Sequence, residues 1–331
     1  MKTIKYFLAI AILVSVTSCV DRMNENLKPA ASGSPGDVVV VMSENHWASA
    51  AGDTLLNTLT EPVEALPSLE PMFNVIHVTQ SNFGPSFKSQ RNIIVTEIGR
   101  KYENARILVQ KEPWAKKQLV ITIQAPSNID FANLIDTSRN KLVSLINSYE
   151  DTRLAETYSK SPDAETEKIL RNRMNVALSV PSAYKLDVNE DNFFWLSQEY
   201  RDIIQGILLY SYDYTSEDQL TTKSLIDKRN EVLKKYVPGE IPGSYMITEK
   251  LLPPSHYTYE SDGVYTAEIR GLWKMENGLA MGGPFVSFTR IDQKNKKIVT
   301  AEGFVYAPAH KKREYLRQVE AIASSLRFVE K

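Results

Sequence analysis

The stretch that most constrains the fold is Arg270–Pro308, RGLWKMENGLAMGGPFVSFTRIDQKNKKIVTAEGFVYAP. It holds two apolar runs, Phe285–Ile291 and Ile298–Tyr306, joined by a charged Asp292–Lys297 turn. Two such runs around a polar turn predict the central antiparallel hairpin of an α/β domain. The glycine-rich Gly278–Pro284 segment precedes it, with Trp273 just upstream. Glycine there predicts backbone that must bend or be approached closely.

With 331 residues, of which 43% are hydrophobic and 24% charged, the chain can bury a sizeable core in one large or two ordinary domains. A formal net charge of −1 gives no basic footprint for nucleic acid. It also argues against attachment to anionic lipid by charge alone. The single cysteine, Cys19, excludes an intrachain disulfide or a cysteine metal cluster.

Residues 1–19, MKTIKYFLAIAILVSVTSC, begin with Lys2 and Lys5 and continue as an apolar core over Tyr6–Val16. That core is shorter than the about 20 residues of a transmembrane helix and fits a signal peptide. Val16-Thr17-Ser18-Cys19 is similar to the bacterial lipobox. The resemblance implies a lipoprotein signal peptide over 1–18 and an acylated, palmitate-bearing Cys19 as membrane anchor. A cleaved signal with unmodified Cys19, or an uncleaved anchor, is the alternative. Residues 19–36, polar and rich in Pro, Gly, Ser and Asn, are expected as a flexible tether. Only Asp21 and Glu25 follow the cysteine as acids, which favours an outer-membrane anchor facing the periplasm over cell-surface display.

Beyond the tether, residues 37–150 and 151–331 read as two α/β units. Asp37–Met42 is a β-branched run of a strand buried on both faces. Strands are expected at 73–78, 92–98, 106–110 and 118–124, then a long amphipathic helix from Asn128. A charged helical stretch over 152–172 breaks at Ser161-Pro162, read as a cap and first turn. Strands resume at 175–180, 184–188, 193–197 and 206–214. Ser216 and Gln219 form a capping box for a helix whose inner face includes Leu225, Arg229 and Leu233. A last helix spans 311–326, and a short edge strand is expected at 327–329. Hairpin-length connections dominate, so the expected class is α+β, two units of antiparallel sheets with packed helices.

No H-E-x-x-H, G-x-S-x-G, S-x-x-K or phosphate-loop pattern occurs, so no catalytic residue, metal site or cofactor is assigned. Three groups of side chains are candidate binding residues. Glu44, Asn45, His46 and Trp47 follow the first buried strand, where open sheets bind ligands; capping and packing is the plain alternative. Tyr210, Tyr212 and Tyr214 alternate along one strand face, either as an exposed stacking row or as packing beneath a helix. Lys311, Lys312 and Arg313, after His310, put positive charge where the helix dipole disfavours it. That placement suggests an anionic contact such as a glycolipid phosphate or acidic partner; a solvated face is the alternative.

Cys19, the strand followed by Trp47, Leu66-Pro67 to Pro71 and Arg91-Asn92-Ile93 stand out together, as do Gly271-Leu272-Trp273 and Gly282-Gly283-Pro284-Phe285. With Tyr306-Ala307-Pro308 and Lys312-Arg313, they resemble a domain-of-unknown-function family of Bacteroidota envelope lipoproteins. The resemblance covers the whole mature chain and implies an envelope address without catalytic residues. Val180, Pro181 and Tyr184 at the start of the second half are faintly similar to PsbP-like α/β/α sandwiches. The resulting expectation is a non-catalytic binding or accessory protein in envelope maintenance or assembly, with an envelope protein or glycolipid as partner. A hydrolase of envelope glycans or peptides and a small-ligand carrier remain alternatives.

Overall fold

The computed structural model describes residues 28–329 except 262. The expected signal peptide 1–18, Cys19 and the tether residues up to 27 lie outside the described residues. The fold is α+β, in two compact units. One comprises the described residues up to Thr60 together with Phe73–Asn147; the other comprises Glu61–Met72 and the chain from Ser148 onward.

In the first unit β1 (Asp37–Val41) is followed by α1 (Glu44–Trp47), α2 (Ala50–Leu59) and β2 (Asn74–Val78). Next come α3 (Pro85–Lys88), β3 (Asn92–Ile98), β4 (Arg106–Lys111), β5 (Leu119–Ala125) and α4 (Asn128–Tyr158), whose residues from Ser148 onward belong to the second unit. The sheet order is β2-β1-β3-β5-β4. β1 runs parallel to β2 and β3, and β3 runs parallel to β5; β4 alone is antiparallel. The expectation of antiparallel sheets is therefore corrected for this unit. Parallel neighbours need crossovers, and the helices between β1 and β2 and between β2 and β3 supply them. Val38–Met42 are fully buried, as a strand covered on both faces must be.

Residues 28–36 are not a free tether. The Ser32 N–H donates to the Ser89 carbonyl at 2.8 Å and the Ala31 N–H to the Lys116 carbonyl at 3.0 Å. Ala30 and Ser32 thereby make parallel bridges that pin this segment to the unit.

The second unit contains α5 (Ala164–Met174), β6 (Val176–Ala177), β7 (Lys185–Asn189), β8 (Phe193–Tyr200) and β9 (Ile203–Asp213). It continues with α6 (Thr222–Tyr236), β10 (Tyr245–Thr248), β11 (Ser255–Ser261), β12 (Val264–Glu276) and β13 (Gly282–Asp292). β14 (Lys297–Tyr306), α7 (Arg313–Ser324) and β15 (Arg327–Phe328) complete it. The large sheet runs β10-β12-β13-β14-β9-β8-β7, with β11 also on β12, and its pairs are antiparallel. The expected hairpin is β13–β14 near its centre, in register from Phe285↔Phe304 to Asp292↔Lys297. β15 pairs with β6. The cap of α5 is Asp163, whose side chain accepts the Thr166 N–H at 3.1 Å, rather than Ser161. The predicted Ser216–Gln219 capping box is formed, but on a short 3₁₀ turn; Thr221 then caps α6.

Strand alternation sorts β14 between two cores. Val299, Ala301 and Val305 join Leu316, Val319 and Ile322 of α7 on one face. Phe304 joins Leu225 and Leu233 of α6 on the other. Two glycines are required by close approach. A Cβ on Gly283 would lie 2.0 Å from the Val305 carbonyl oxygen, and one on Gly303 would lie 2.7 Å from Val319 Cβ. Glu302 faces the α6 side and receives Arg229 Nε and Nη2 at 2.7 Å each. Arg229 Nη1 donates to Thr248 Oγ1 at 2.8 Å, and the guanidinium lies 3.7 Å from the Phe285 ring centroid. Both partners are buried, at 1% and 0% exposure.

Removing one member of such a pair strands the other charge in the core. Glu302→Gln is expected to lower stability by about 3–5 kcal/mol. Asp227→Asn, which breaks the exposed Lys223–Asp227 pair of the same helix, should cost less than about 0.5 kcal/mol. Urea unfolding of both variants checks the contrast.

Candidate functional site

The His46 quartet builds α1 in the first unit. Glu44 and Asn45 are exposed, while His46 and Trp47 are half-buried. His46 Nδ1 and Asn128 Oδ1 are hydrogen-bonded at 2.7 Å, and Trp47 stacks on His77 with centroids 4.3 Å apart. His77 is tied in turn to the Met42 carbonyl at 2.8 Å. These contacts join β1, β2 and the start of α4, so the histidine and the indole are engaged in packing.

The basic cluster in the second unit is likewise occupied. Glu70 accepts the backbone N–H groups of Lys312 and Arg313 at 2.8 and 3.0 Å. Arg313 Nη1 donates to the Pro71 carbonyl at 2.6 Å, and Lys312 Nζ donates to the His310 carbonyl at 3.0 Å. Lys312 and Arg313 are buried; Lys311 alone is exposed. The anionic contact expected at this helix start is therefore a carboxylate of the same chain, placed where the dipole favours it. This corrects the expectation of an external anion at Lys312 and Arg313.

The three tyrosines diverge. Tyr210 is 4% exposed inside the core under α6, and burial drives its phenol pKa far upward. It is not part of an exposed row. Tyr214 lies half-buried beyond the end of β9, its N–H donating to the Lys296 carbonyl at 2.9 Å. Tyr212 is different. It lines a surface cleft of about 380 Å³ with Asn192, Ser211, Lys228, Glu231, Lys234, Lys235 and Tyr236.

The cleft lies along the flank of α6, because helical spacing sends Leu225, Arg229 and Leu233 inward and Lys228, Glu231 and Lys235 to the side. Tyr236 stacks on Phe193 of β8 at 4.5 Å between centroids. Each lysine sits over a ring: Lys228 over Tyr212 at 5.3 Å, Lys235 over Tyr236 at 4.5 Å and Lys234 over Tyr245 at 5.2 Å. Glu231 is the lining's only carboxylate and accepts Lys228 Nζ at 2.7 Å. The Tyr212 hydroxyl is buried without a hydrogen-bond partner among the described residues. Burial pushes its pKa to about 12, so it is a neutral donor and acceptor at physiological pH. The lysines and Tyr236 were absent from the sequence-based candidates. The Lys228, Glu231 and Lys235 spacing on an amphipathic helix was the available signal.

A second charged cluster in this unit centres on Arg270, which donates to Glu268 Oε1 at 2.6 Å and bonds both carboxylate oxygens of Glu320. Tyr259 donates to Glu268 at 2.9 Å, and Tyr257 donates to Glu64 at 2.8 Å. Asp151 belongs to the same surroundings. It is exposed at the surface, yet crowding by protein and then the Glu320 charge push its carboxyl pKa to about 7. Among the described residues, no group of three or more His, Cys, Asp or Glu is placed to hold a metal.

The fold is that of an α+β protein whose second unit carries a lysine- and tyrosine-lined surface cleft. Two family models match the chain, both described as domains of unknown function: DUF8532 over residues 31–160 and DUF4837 over residues 163–325. No curated protein matches it. A Bacteroides thetaiotaomicron VPI-5482 crystal structure at 1.50 Å resolution is similar at 11% identity and a TM-score of 0.20, over 47% of this chain. This chain spans 46% of that one.

Asp151 gives the unit a defined pH response. Its proton is held more tightly in the folded state than in the unfolded one, where the ordinary value is 3.8. Stability from this group is therefore full below that value and declines as pH rises toward about 7. Asp151→Asn is expected to flatten the dependence over that window, as read by urea midpoints.

Proposed function

We propose that the chain is an envelope lipoprotein, anchored through acylated Cys19 in the outer membrane and facing the periplasm. On this reading it acts by binding, as an accessory protein of envelope maintenance or assembly. The cleft beside α6 carries the proposal. Its lining includes three lysines, two tyrosines, Asn192 and Ser211, with its one carboxylate, Glu231, already paired. That is the composition of a site that holds a polar ligand. The signal-like residues 1–19 support the anchor, and no helix among the described residues is long and apolar enough to cross a membrane. A Bacteroidota source and kinship of the second half with PsbP-like sandwiches are part of the same proposal. The α6–sheet–α7 layering supports the latter.

A hydrolase reading would rest on Asp151, whose carboxyl pKa is pushed to about 7 by crowding and then the Glu320 charge, in the range a general acid uses. Loss of envelope-glycan hydrolysis in Asp151→Asn would establish that reading, and equal turnover in both proteins would end it.

Two measurements test the binding proposal. Cys19→Ser should shift the protein from the membrane fraction to the soluble fraction; continued sedimentation with membranes would overturn the anchor. Lysine acylation on intact cells, read by mass spectrometry against purified protein, should show protection of Lys228, Lys234 and Lys235 at least severalfold greater than that of exposed Lys223. Equal labelling would remove the cleft as the working site.

A further inference from the structure

Taking the cleft as the binding site proposed above, we infer that its ligand is a small hydroxylated anion, a sugar carrying a phosphate or carboxylate group. The first argument is charge. Lys228, Lys234 and Lys235 line the cleft against Glu231 alone. Glu231 is satisfied by Lys228, whereas Lys234 and Lys235 make no ion pair among the described residues. Glu190 is the further acid whose field reaches Lys235. The balance is cationic, and a concave site with aromatic walls concentrates that potential on an incoming anion. A lysine ammonium is a compact point charge suited to phosphate or carboxylate oxygens.

The second argument concerns the walls. Tyr212 and Tyr236 give the cleft aromatic walls, each ring with a lysine ammonium over it, and Asn192 and Ser211 complete the lining. The Ser211 N–H donates to the Asn192 carbonyl at 3.0 Å, which holds the two residues next to each other. The volume of about 380 Å³ is at the small end for ligand clefts and suits a mono- or disaccharide.

The third argument is the Tyr212 hydroxyl. A buried hydroxyl without a partner destabilises the fold, and phenylalanine at this position would avoid that cost. Retaining the polar atom in the wall of a cationic cleft fits a group used when the ligand is seated. The Lys228 ammonium lies over the same ring, 5.3 Å from its centroid.

The test is isothermal titration calorimetry on the detergent-solubilised full chain with glucose 6-phosphate, glucuronate, glucose and inorganic phosphate, at low and physiological salt. Glucose 6-phosphate or glucuronate should bind, more weakly as salt rises, and glucose should not. Tyr212→Phe should weaken binding roughly tenfold or more while unfolding at the same or higher urea concentration than wild type. The double variant Lys234→Gln, Lys235→Gln should abolish the salt dependence without lowering stability. Glucose binding as tightly as its phosphate would overturn the anion assignment and leave the cleft reading intact. Inorganic phosphate matching glucose 6-phosphate would overturn the sugar assignment. No binding of any probe, with Lys228, Lys234 and Lys235 still protected in cells, would overturn this inference alone. Binding unaffected by all three substitutions would overturn both it and the cleft reading.

Discussion

The second unit is organised around a charge pair in its core. Arg229 comes from α6 and Glu302 from the central strand β14, and their two parallel hydrogen bonds fix how the helix lies on the sheet. Every part of the pair is served: the remaining guanidinium nitrogen reaches Thr248, and Thr248 is held by Asn230. Burying two charges is costly, so the arrangement is tolerated only because the geometry is bidentate and complete. Its consequence reaches the surface. With Arg229 turned inward, the next flank of α6 must carry Lys228, Glu231 and Lys235, and these are the residues of the cleft.

The segment 61–72 shows the same principle at a helix end. It lies between α2 and β2 in sequence, but it packs with the second unit. Glu70 neutralises the start of α7 by accepting two backbone N–H groups, and Glu64 accepts hydrogen bonds from Ser255 and Tyr257. Positive side chains at a helix N-terminus are unfavourable in isolation. Here a carboxylate some 240 residues away in sequence removes the conflict, with sequence separations of 242 and 243 for its two bonds. The fold supplies the anion internally.

Where the sequence was read well, the signal was periodic and local. The β13–β14 hairpin, the inward face of α6 including Arg229, the Ser216 capping box and β3 at Asn92–Ile98 all follow from spacing within a few residues. The parallel pairing of β1 with β2 and β3 did not. The β2–β3 crossover contains a helix of only four residues at Pro85–Lys88, too short for a periodic pattern, and the ten-residue α2 between β1 and β2 does not by itself fix the direction of the strand that follows. β11, SHYTYES, is exposed along most of its length and lacks the alternation of a half-buried strand. Of the candidate site residues, only Tyr212 lies in the cleft, because its lysine and tyrosine neighbours on α6 are contributed from another element.

By itself the sequence determined the class of the protein: an α+β chain, a central hairpin with glycines where strands and helix must close in, and a signal-like start. These are consequences of side-chain size, alternation and charge acting over short distances. Which tyrosine reaches a cleft, which arginine is buried and which carboxylate meets α7 were decided only by the tertiary structure. Each depends on pairing surfaces that are remote in sequence, where the cost of an unpaired charge or hydroxyl is set by what the other surface brings.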